Sequence, residues 1–239
     1  MTALLALLVF FAAIVRGYTG FGLSAILVTV MTRWIPAQEL VPLLILLEIT
    51  ASLLFYRSIS LDVDWKIVGI IFTGAAISTP LALQLLLIMP GNIANIAIAS
   101  LVLLAILILL MQARFAIKPS NGFWFATGLV MGIFGGLGSI GGLGGMVMLL
   151  LTTMSAAKVR TTMIVLLLVT PVYAALFTTF NGMMAGETVS RWLMMLLPMI
   201  PGLYIGHLCF KHYKKSFRQI TLIFLAVLSV TMLVQSIGQ

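Results

Sequence analysis

Two short stretches of the sequence combine several glycines with groups that could bind an anion. The first is RGYTGFG (16–22) and the second is GSIGG (138–142). Arg16 supplies a full positive charge and a planar set of donors that fits an oxyanion, and Ser139 supplies a hydroxyl donor. The candidate substrate-binding residues are Arg16, Gly17, Tyr18, Thr19, Gly20, Gly138, Ser139, Gly141 and Gly142.

Each stretch interrupts an apolar segment that otherwise favours membrane helices. Residues 119–157 contain no charged side chain, yet eight of the sixteen residues in 132–147 are glycines. Irregular backbone at membrane depth is tolerated where it is buried in protein or lines a cavity. A helix that begins after such a turn presents unpaired N–H groups and a positive dipole end, which attract anions. We therefore expect two broken helices whose turns converge on one anion near the middle of the membrane.

The composition is that of an integral membrane protein. Of the 239 residues, 62% are apolar and 8% are charged, whereas soluble domains carry about 25% charged residues. The net charge of +8 does not predict a nucleic-acid partner, because the basic residues lie mostly between apolar spans. We predict an all-α polytopic protein with one transmembrane domain, 1–239, in the lipid bilayer. The predicted full spans are 38–57, 66–88, 92–112, 158–180, 190–210 and 219–237, and the broken segments are 1–33 and 120–155.

The order of these segments predicts two repeats, 1–112 and 120–237, each with a glycine-broken re-entrant hairpin followed by three transmembrane helices. If each broken segment enters and returns on one side, ten basic residues share one side and two share the other. This split fits the positive-inside rule, whereas a single crossing gives seven against five. The halves are then inverted, and both termini face outward from the cell (inner) membrane. The ten residues are Arg57, Lys66, Arg114, Lys118, Lys158, Arg160, Lys211, Lys214, Lys215 and Arg218, and the two are Arg33 and Arg191.

Glu48 is a carboxylate near the centre of the predicted span 38–57. An ionisable residue inside the membrane is a functional candidate by default. One interpretation is that Glu48 takes up a proton and couples it to anion movement. The other is a buried structural pair, with Arg16 as the partner, and the sequence leaves both open.

Other glycines and polar residues fit helix packing. Gly128, Gly132 and Gly136 recur every four residues, so they form one small face on which a neighbouring helix can pack closely. Asn95 lies within a predicted span, where hydrogen bonding between helices is its expected role.

The chain resembles the TauE/SafE sulfite exporters over most of its length. The resemblance rests on RGYTGFGLS and GGLGSIGGLGGM, each opening one half, and on AAKVRTTM (156–163), where such proteins often carry a basic residue followed by Thr or Ser. The first half departs from the family by carrying TGFGLS where a glycine triplet is usual. The resemblance implies secondary transport of small sulfur-containing anions, such as sulfite, sulfoacetate or other sulfonates.

Two other function classes compete with a secondary transporter. An anion channel is expected to show a ring of charges or a repeated filter signature, and the sequence shows neither. An intramembrane enzyme could use Ser139 and His207 as a dyad, which requires hydrogen-bond reach. Ser139 is predicted at mid-membrane, however, and His207 close to the basic loop 211–218. The sequence has no nucleotide-binding loop, so transport is not expected to be driven directly by ATP. The single cysteine, Cys209, excludes an internal disulfide and a multi-cysteine metal site. Because a secondary transporter is the favoured class, the chain is expected to be a non-enzyme without a cofactor or metal. The oligomeric state and the identity of the coupling ion, for which protons are one candidate, are left open.

Overall fold

The computed structural model describes residues 3–55, 63–111, 119–184 and 186–212, and these ranges form nine α-helices without a strand. The helices are α1 (Ala3–Thr19), α2 (Leu23–Met31), α3 (Ala37–Leu54), α4 (Trp65–Ile88), α5 (Gly91–Met111), α6 (Asn121–Gly138), α7 (Gly141–Leu150), α8 (Ala156–Phe180) and α9 (Gly186–His212).

Four of these helices, α3, α4, α8 and α9, are long and apolar enough to cross a membrane. The protein is therefore a polytopic, all-α membrane protein, as predicted. The helices α3, α4, α5, α8 and α9 lie within a few residues of the predicted spans. The sixth predicted span, 219–237, lies outside the described residues.

Side-chain caps begin three of the helices. The carboxylate of Asp64 accepts from the N–H of Ile67 at the start of α4. The hydroxyl of Ser120 accepts from Phe123 at the start of α6. Ser155 does the same for Lys158 at the start of α8. Each cap satisfies one of the N–H groups that a helix leaves unpaired at its beginning.

Each broken segment consists of one long helix and one short helix. In the first, α1 has 17 residues and α2 has 9. In the second, α6 has 18 and α7 has 10. At 1.5 Å per residue, α1 and α6 are about 26 Å long and α2 and α7 about 14 Å. The predicted hairpins are therefore unequal, since the first helix of each nearly spans a membrane and only the second is a half-helix.

The two halves pack against each other through equivalent helices. The first helix of each half packs along the fourth helix of the other half, so that α1 lies against α9 and α6 lies against α4. The third helices, α3 and α8, contact each other between these pairs. The same order and pairing in both halves is the pattern expected from two repeats, and the inverted relation of the halves stays a prediction that it supports.

Glycines allow the helix backbones to approach closely within the pairs α4–α6 and α1–α9. Along α6, Gly128, Gly132 and Gly136 face successive backbone carbonyls of α4, those of Ile71, Ala75 and Thr79. Along α9, Gly202 and Gly206 face the carbonyls of Phe10 and Ile14 on α1. The predicted small-residue face is therefore confirmed. Because the facing positions advance together, the helices of each pair run in the same direction.

Ion pairs show where the helices begin. Lys158 and Asp64 lie 3.7 Å apart, so α8 begins beside the start of α4, at what we call the Lys158 end. Arg191 and Glu39 lie 3.4 Å apart, so α9 begins beside the start of α3, at the Arg191 end. Since α6 runs with α4 and α1 runs with α9, each broken segment leaves one end of the molecule and returns to the same end. This is the hairpin arrangement on which the predicted ten-to-two charge split depends.

Candidate anion-binding site

The turn between α1 and α2, which we call turn one (Gly20–Gly22), is closed by its own hydrogen bonds. Gly20 and Gly22 have φ of 85° and 98°, a conformation that glycine adopts without strain. The N–H of Gly20 donates to the carbonyl of Arg16 at 2.9 Å, and the N–H of Phe21 donates to the hydroxyl of Thr19 at 3.2 Å. Thr19 therefore uses its hydroxyl to shape the turn.

The turn between α6 and α7, together with the first two residues of α7, is what we call turn two (Gly138–Gly142), and it carries a strained serine. Ser139 has a φ of 56°, and it is the only non-glycine residue in the described ranges whose φ is positive. Its N–H donates to the carbonyl of Gly135 at 2.8 Å, and the N–H of Ile140 donates to Phe134 at 3.1 Å. These two bonds close the end of α6.

The two turns contact each other in the interior of the protein. A Cβ on Gly142, in the first turn of α7, would lie 3.2 Å from the Cβ of Phe21 and 2.9 Å from a methyl of Leu167. Leu167 lies near the middle of α8. The structure therefore brings the two glycine stretches together, close to the middle of the molecule.

Arg16 and Glu48 form a buried ion pair beside turn one. The Nε of Arg16 lies 3.0 Å from the Oε2 of Glu48, and their side chains are 0% and 3% exposed. The other carboxylate oxygen, Oε1, accepts from the hydroxyl of Ser24 at 2.8 Å and from its N–H at 3.3 Å. Because Ser24 is the second residue of α2, the carboxylate of Glu48 occupies the N-terminus of that helix.

A second chain of bonds joins Arg16 to α8. Its Nη2 donates to the hydroxyl of Ser52 at 2.7 Å, and that hydroxyl donates to the carbonyl of Leu167 at 2.8 Å. Nη1 of Arg16 is buried and has no hydrogen-bond partner among the residues that the structure describes. Arg16 thus keeps an unused donor while its charge is neutralised by Glu48.

A small cavity connects Glu48 with turn two. Its volume is about 20 Å³, which is enough for one water and too little for a sulfonate. Its polar lining comes from Glu48, Thr79, Ser139 and Thr170, and Gly135 and Gly141 contribute backbone. The described conformation is therefore closed around the carboxylate.

A larger groove, of about 550 Å³, lies between the end of α2 and α5. Arg33, Asn92 and Asn95 line it on the side of the Arg191 end. Its inner wall includes Ile98, whose side chain lies against Gly138 of turn two. The amide of Asn95 donates to the carbonyl of Thr32 at 3.4 Å, which is the helix-to-helix hydrogen bond expected for this residue.

Several predicted site residues face other neighbours. Gly17 packs against the backbone of α9, and the ring of Tyr18 lies edge-on to Phe210 at 6.0 Å. Gly20 lies against the side chain of Arg160. The residues that the structure brings together around the cavity and the ion pair are Arg16, Ser139, Gly141 and Glu48.

Arg160 is a buried cation that the sequence analysis used as a topology signal and as part of the AAKVRTTM resemblance, but did not place in the binding site. Its side chain is 5% exposed, and its Nη2 donates to the carbonyl of Gly17 at 2.8 Å. The same nitrogen lies 3.2 Å from the Nδ1 of His207. The available signals were its place in the AAKVRTTM stretch and its position two residues inside the predicted span 158–180. His207 is thus placed beside Arg160, and no hydrogen bond joins it to Ser139 in the described ranges.

Comparison with protein families matches residues 5–232 to the family described as Sulfite exporter TauE/SafE. The chain belongs to this family. Comparisons with curated proteins and with solved structures give no match. Membership of this transporter family agrees with a membrane protein that handles a small sulfur-containing anion.

Proposed function

We propose that the protein is a secondary transporter of sulfite or small sulfonates such as sulfoacetate, and that the anion binds between turn one and turn two. Family membership supports the substrate class. The proposed position of the anion rests on one observation, the buried Arg16–Glu48 pair at the N-terminus of α2. This pair lies beside a cavity that Ser139 and Gly141 also line.

Glu48 acts in this proposal as a tethered anion that holds the substrate's place. Its carboxylate neutralises Arg16 and accepts from both donors of Ser24. When Glu48 takes up a proton, Arg16 regains an unbalanced charge and the N-terminus of α2 loses its anion. A substrate oxyanion can then restore both interactions, with a bidentate contact to the guanidinium. Proton uptake and anion binding are coupled because the positive charge of the proton balances the negative charge of the anion, so the two steps together conserve the charge of the site.

Turn two supplies the opposite wall. The first N–H groups of α7 have no acceptor inside the helix, and Ser139 adds a hydroxyl beside them. Because the cavity holds only one water, substrate binding requires the two turns to move apart. A site with one arginine and two helix ends gives moderate affinity, which suits a carrier that must release its load.

The groove beside α5 is the proposed access route from the Arg191 end, because Ile98 at its inner wall borders turn two. We assign that end to the outside of the cell (inner) membrane and the Lys158 end to the cytoplasm, with both termini outside. A single cysteine at Asn92, in a chain with Cys209 replaced by serine, should react with an impermeant maleimide added to intact cells. Labelling only from the cytoplasmic side contradicts this orientation.

Transport by purified protein in proteoliposomes tests the function. The panel is sulfite, sulfoacetate, a second sulfonate and small carboxylates, each with and without an imposed pH gradient. We expect accumulation of at least one sulfur oxyanion that increases with the gradient and is lost in Arg16→Gln. Arg191→Gln, which alters an exposed arginine, is the matched control. Absence of transport for every sulfur oxyanion contradicts the proposal.

A further inference from the structure

The described interior contains two arginines and one carboxylate. Arg16 and Arg160 are 0% and 5% exposed, and Glu48 is 3% exposed. The other described acidic residues, Glu39, Asp64 and Glu187, are exposed and pair with basic residues at the two ends. Since Glu48 pairs with Arg16, the described interior is one negative charge short.

Among the residues that the structure describes, the partners of Arg160 are all uncharged acceptors or rings. Besides the Gly17 carbonyl and His207, the guanidinium lies 4.2 Å from the ring centroid of Phe210 and 5.7 Å from that of Phe55. Its Nε is buried without a hydrogen-bond partner in the described part of the chain. Aromatic faces attract a cation but do not neutralise it. A buried cation without a counter-charge is costly, so this arrangement favours an anion supplied from outside the described part of the chain.

The geometry of the Nε and Nη2 donors of Arg160 fits an oxyanion. Nε and Nη2 of an arginine point in the same direction and bind two oxygens of one anion side by side. In Arg160, Nε is unused and Nη2 is shared between Gly17 and the ring nitrogen of His207. To accept from Arg160, His207 must present an unprotonated Nδ1, which is a neutral acceptor that a charged oxygen outcompetes.

We propose that Arg160 forms a second anion site on the Lys158 side of turn one, where a sulfur oxyanion binds its Nε and Nη2 and displaces His207. Gly20 keeps the backbone of turn one close to the Arg160 side chain, because a Cβ there would lie 3.1 Å from its Cγ. Arg16 and Arg160 flank this turn, so the anion passes from one guanidinium to the other during transport. This inference rests on the proposed function, since the anion at Arg160 is the transported one.

Binding of sulfite to the purified protein, measured by ligand-dependent thermal stability, tests the site. Arg160→Gln should weaken the affinity by about tenfold or more, as expected for a lost charge-assisted contact. Lys158→Gln, two residues away on the same helix but half-exposed at the surface, is the matched control and should bind like the wild type.

His207→Asp separates anion binding from a structural role of Arg160. It places a carboxylate within reach of the guanidinium, so it should raise the melting temperature without sulfite and abolish the stabilisation by sulfite. His207→Asn, which adds no charge, should keep sulfite binding. If Arg160→Gln fails to fold, the two His207 variants still decide whether an anion binds at Arg160.

The outcomes distinguish this inference from the proposed function. If Arg160→Gln or His207→Asp binds sulfite as tightly as the wild type, the inference is overturned. If, in addition, Arg16→Gln combined with Glu48→Gln loses sulfite binding, the anion sits only between the two turns and the proposed function stands. If the wild type binds and transports no sulfur oxyanion, both fail.

Discussion

Turn one and turn two occupy equivalent places in the two halves but differ in chemistry. Around turn one lie two buried guanidiniums, a carboxylate and the hydroxyls of Ser24 and Ser52. Around turn two the described side chains are apolar except for Ser139, the threonines of the cavity and Glu48, which reaches the cavity from the side of turn one. Turn one is relaxed by glycines at positive φ, whereas turn two holds a serine in that conformation.

The difference indicates that a similar backbone architecture serves two purposes. In the proposed mechanism, the first half carries the charges that exchange a proton for an anion. The second half supplies a wall of glycines whose backbone approaches the site closely. Substitutions near turn one should therefore act by changing the electrostatics of the site. Substitutions near turn two should act by changing the volume that side chains occupy.

The largest effect is expected from separating the charges beside turn one. Arg16→Gln leaves the carboxylate of Glu48 buried without a cation, which should cost about 3–5 kcal/mol of stability. Combining it with Glu48→Gln removes both charges and should recover most of the loss. Thermal unfolding in detergent of the two single variants and the double variant measures this coupling.

The exposed pair of Arg191 and Glu187 is the matched control for this cycle. Its coupling should be about 1 kcal/mol or less, because both side chains reach solvent. Equal coupling energies for the two pairs would contradict the view that burial makes the Arg16–Glu48 pair special.

A smaller effect is expected from adding volume at turn two. In Gly142→Val the new Cβ meets Phe21 and Leu167, so we expect a loss of about 1–3 kcal/mol and of transport. Gly69→Val is the control, since a Cβ at this helical glycine of α4 meets nothing within 4 Å. Transport by Gly142→Val at the wild-type rate would show that the two turns need not be in contact.

The smallest effect on stability is expected at Ser139. Glycine relieves the positive φ but adds freedom to the unfolded chain, so Ser139→Gly should stay within about 1 kcal/mol of the wild type. If the hydroxyl donates to the substrate, the KM for transport should rise by about tenfold. Ser139→Asn tolerates the same conformation and restores a donor, so it should recover part of the affinity. An unchanged KM in Ser139→Gly would remove the hydroxyl from the site.

Much of the fold could be predicted, because membrane spans follow from the length of apolar segments and from the glycine, proline and charged residues that separate them. The small-residue face of Gly128, Gly132 and Gly136 was also readable, since it repeats with the helix period. The unequal hairpins were not readable, because apolar composition does not show where a helix ends before a glycine-rich turn. The sequence also could not show that α1 and α6 pair with helices of the opposite half.

The site was predictable in its residue types and less so in their partners. The sequence identified both Arg16 and Glu48, and it left open whether they form a pair. Only the tertiary structure could show that the two side chains meet. Arg160 was missed because the positive-inside rule explains any basic residue near a span end. What separates it from Lys158 is burial, and two residues along a helix are enough to turn one side chain inward and the other outward.

The central claim is that Glu48 exchanges a proton against the substrate anion, and Glu48→Gln in proteoliposomes tests it most directly. Glutamine keeps hydrogen bonding to Ser24 but cannot lose a proton, so a substrate anion should be able to satisfy Arg16 permanently. We predict that this variant retains exchange of labelled sulfite or sulfonate across the membrane and loses accumulation driven by a pH gradient. Glu39→Gln, at an exposed position, should behave like the wild type in both assays. Normal pH-driven accumulation by Glu48→Gln would contradict the claim and leave Glu48 with a structural role only.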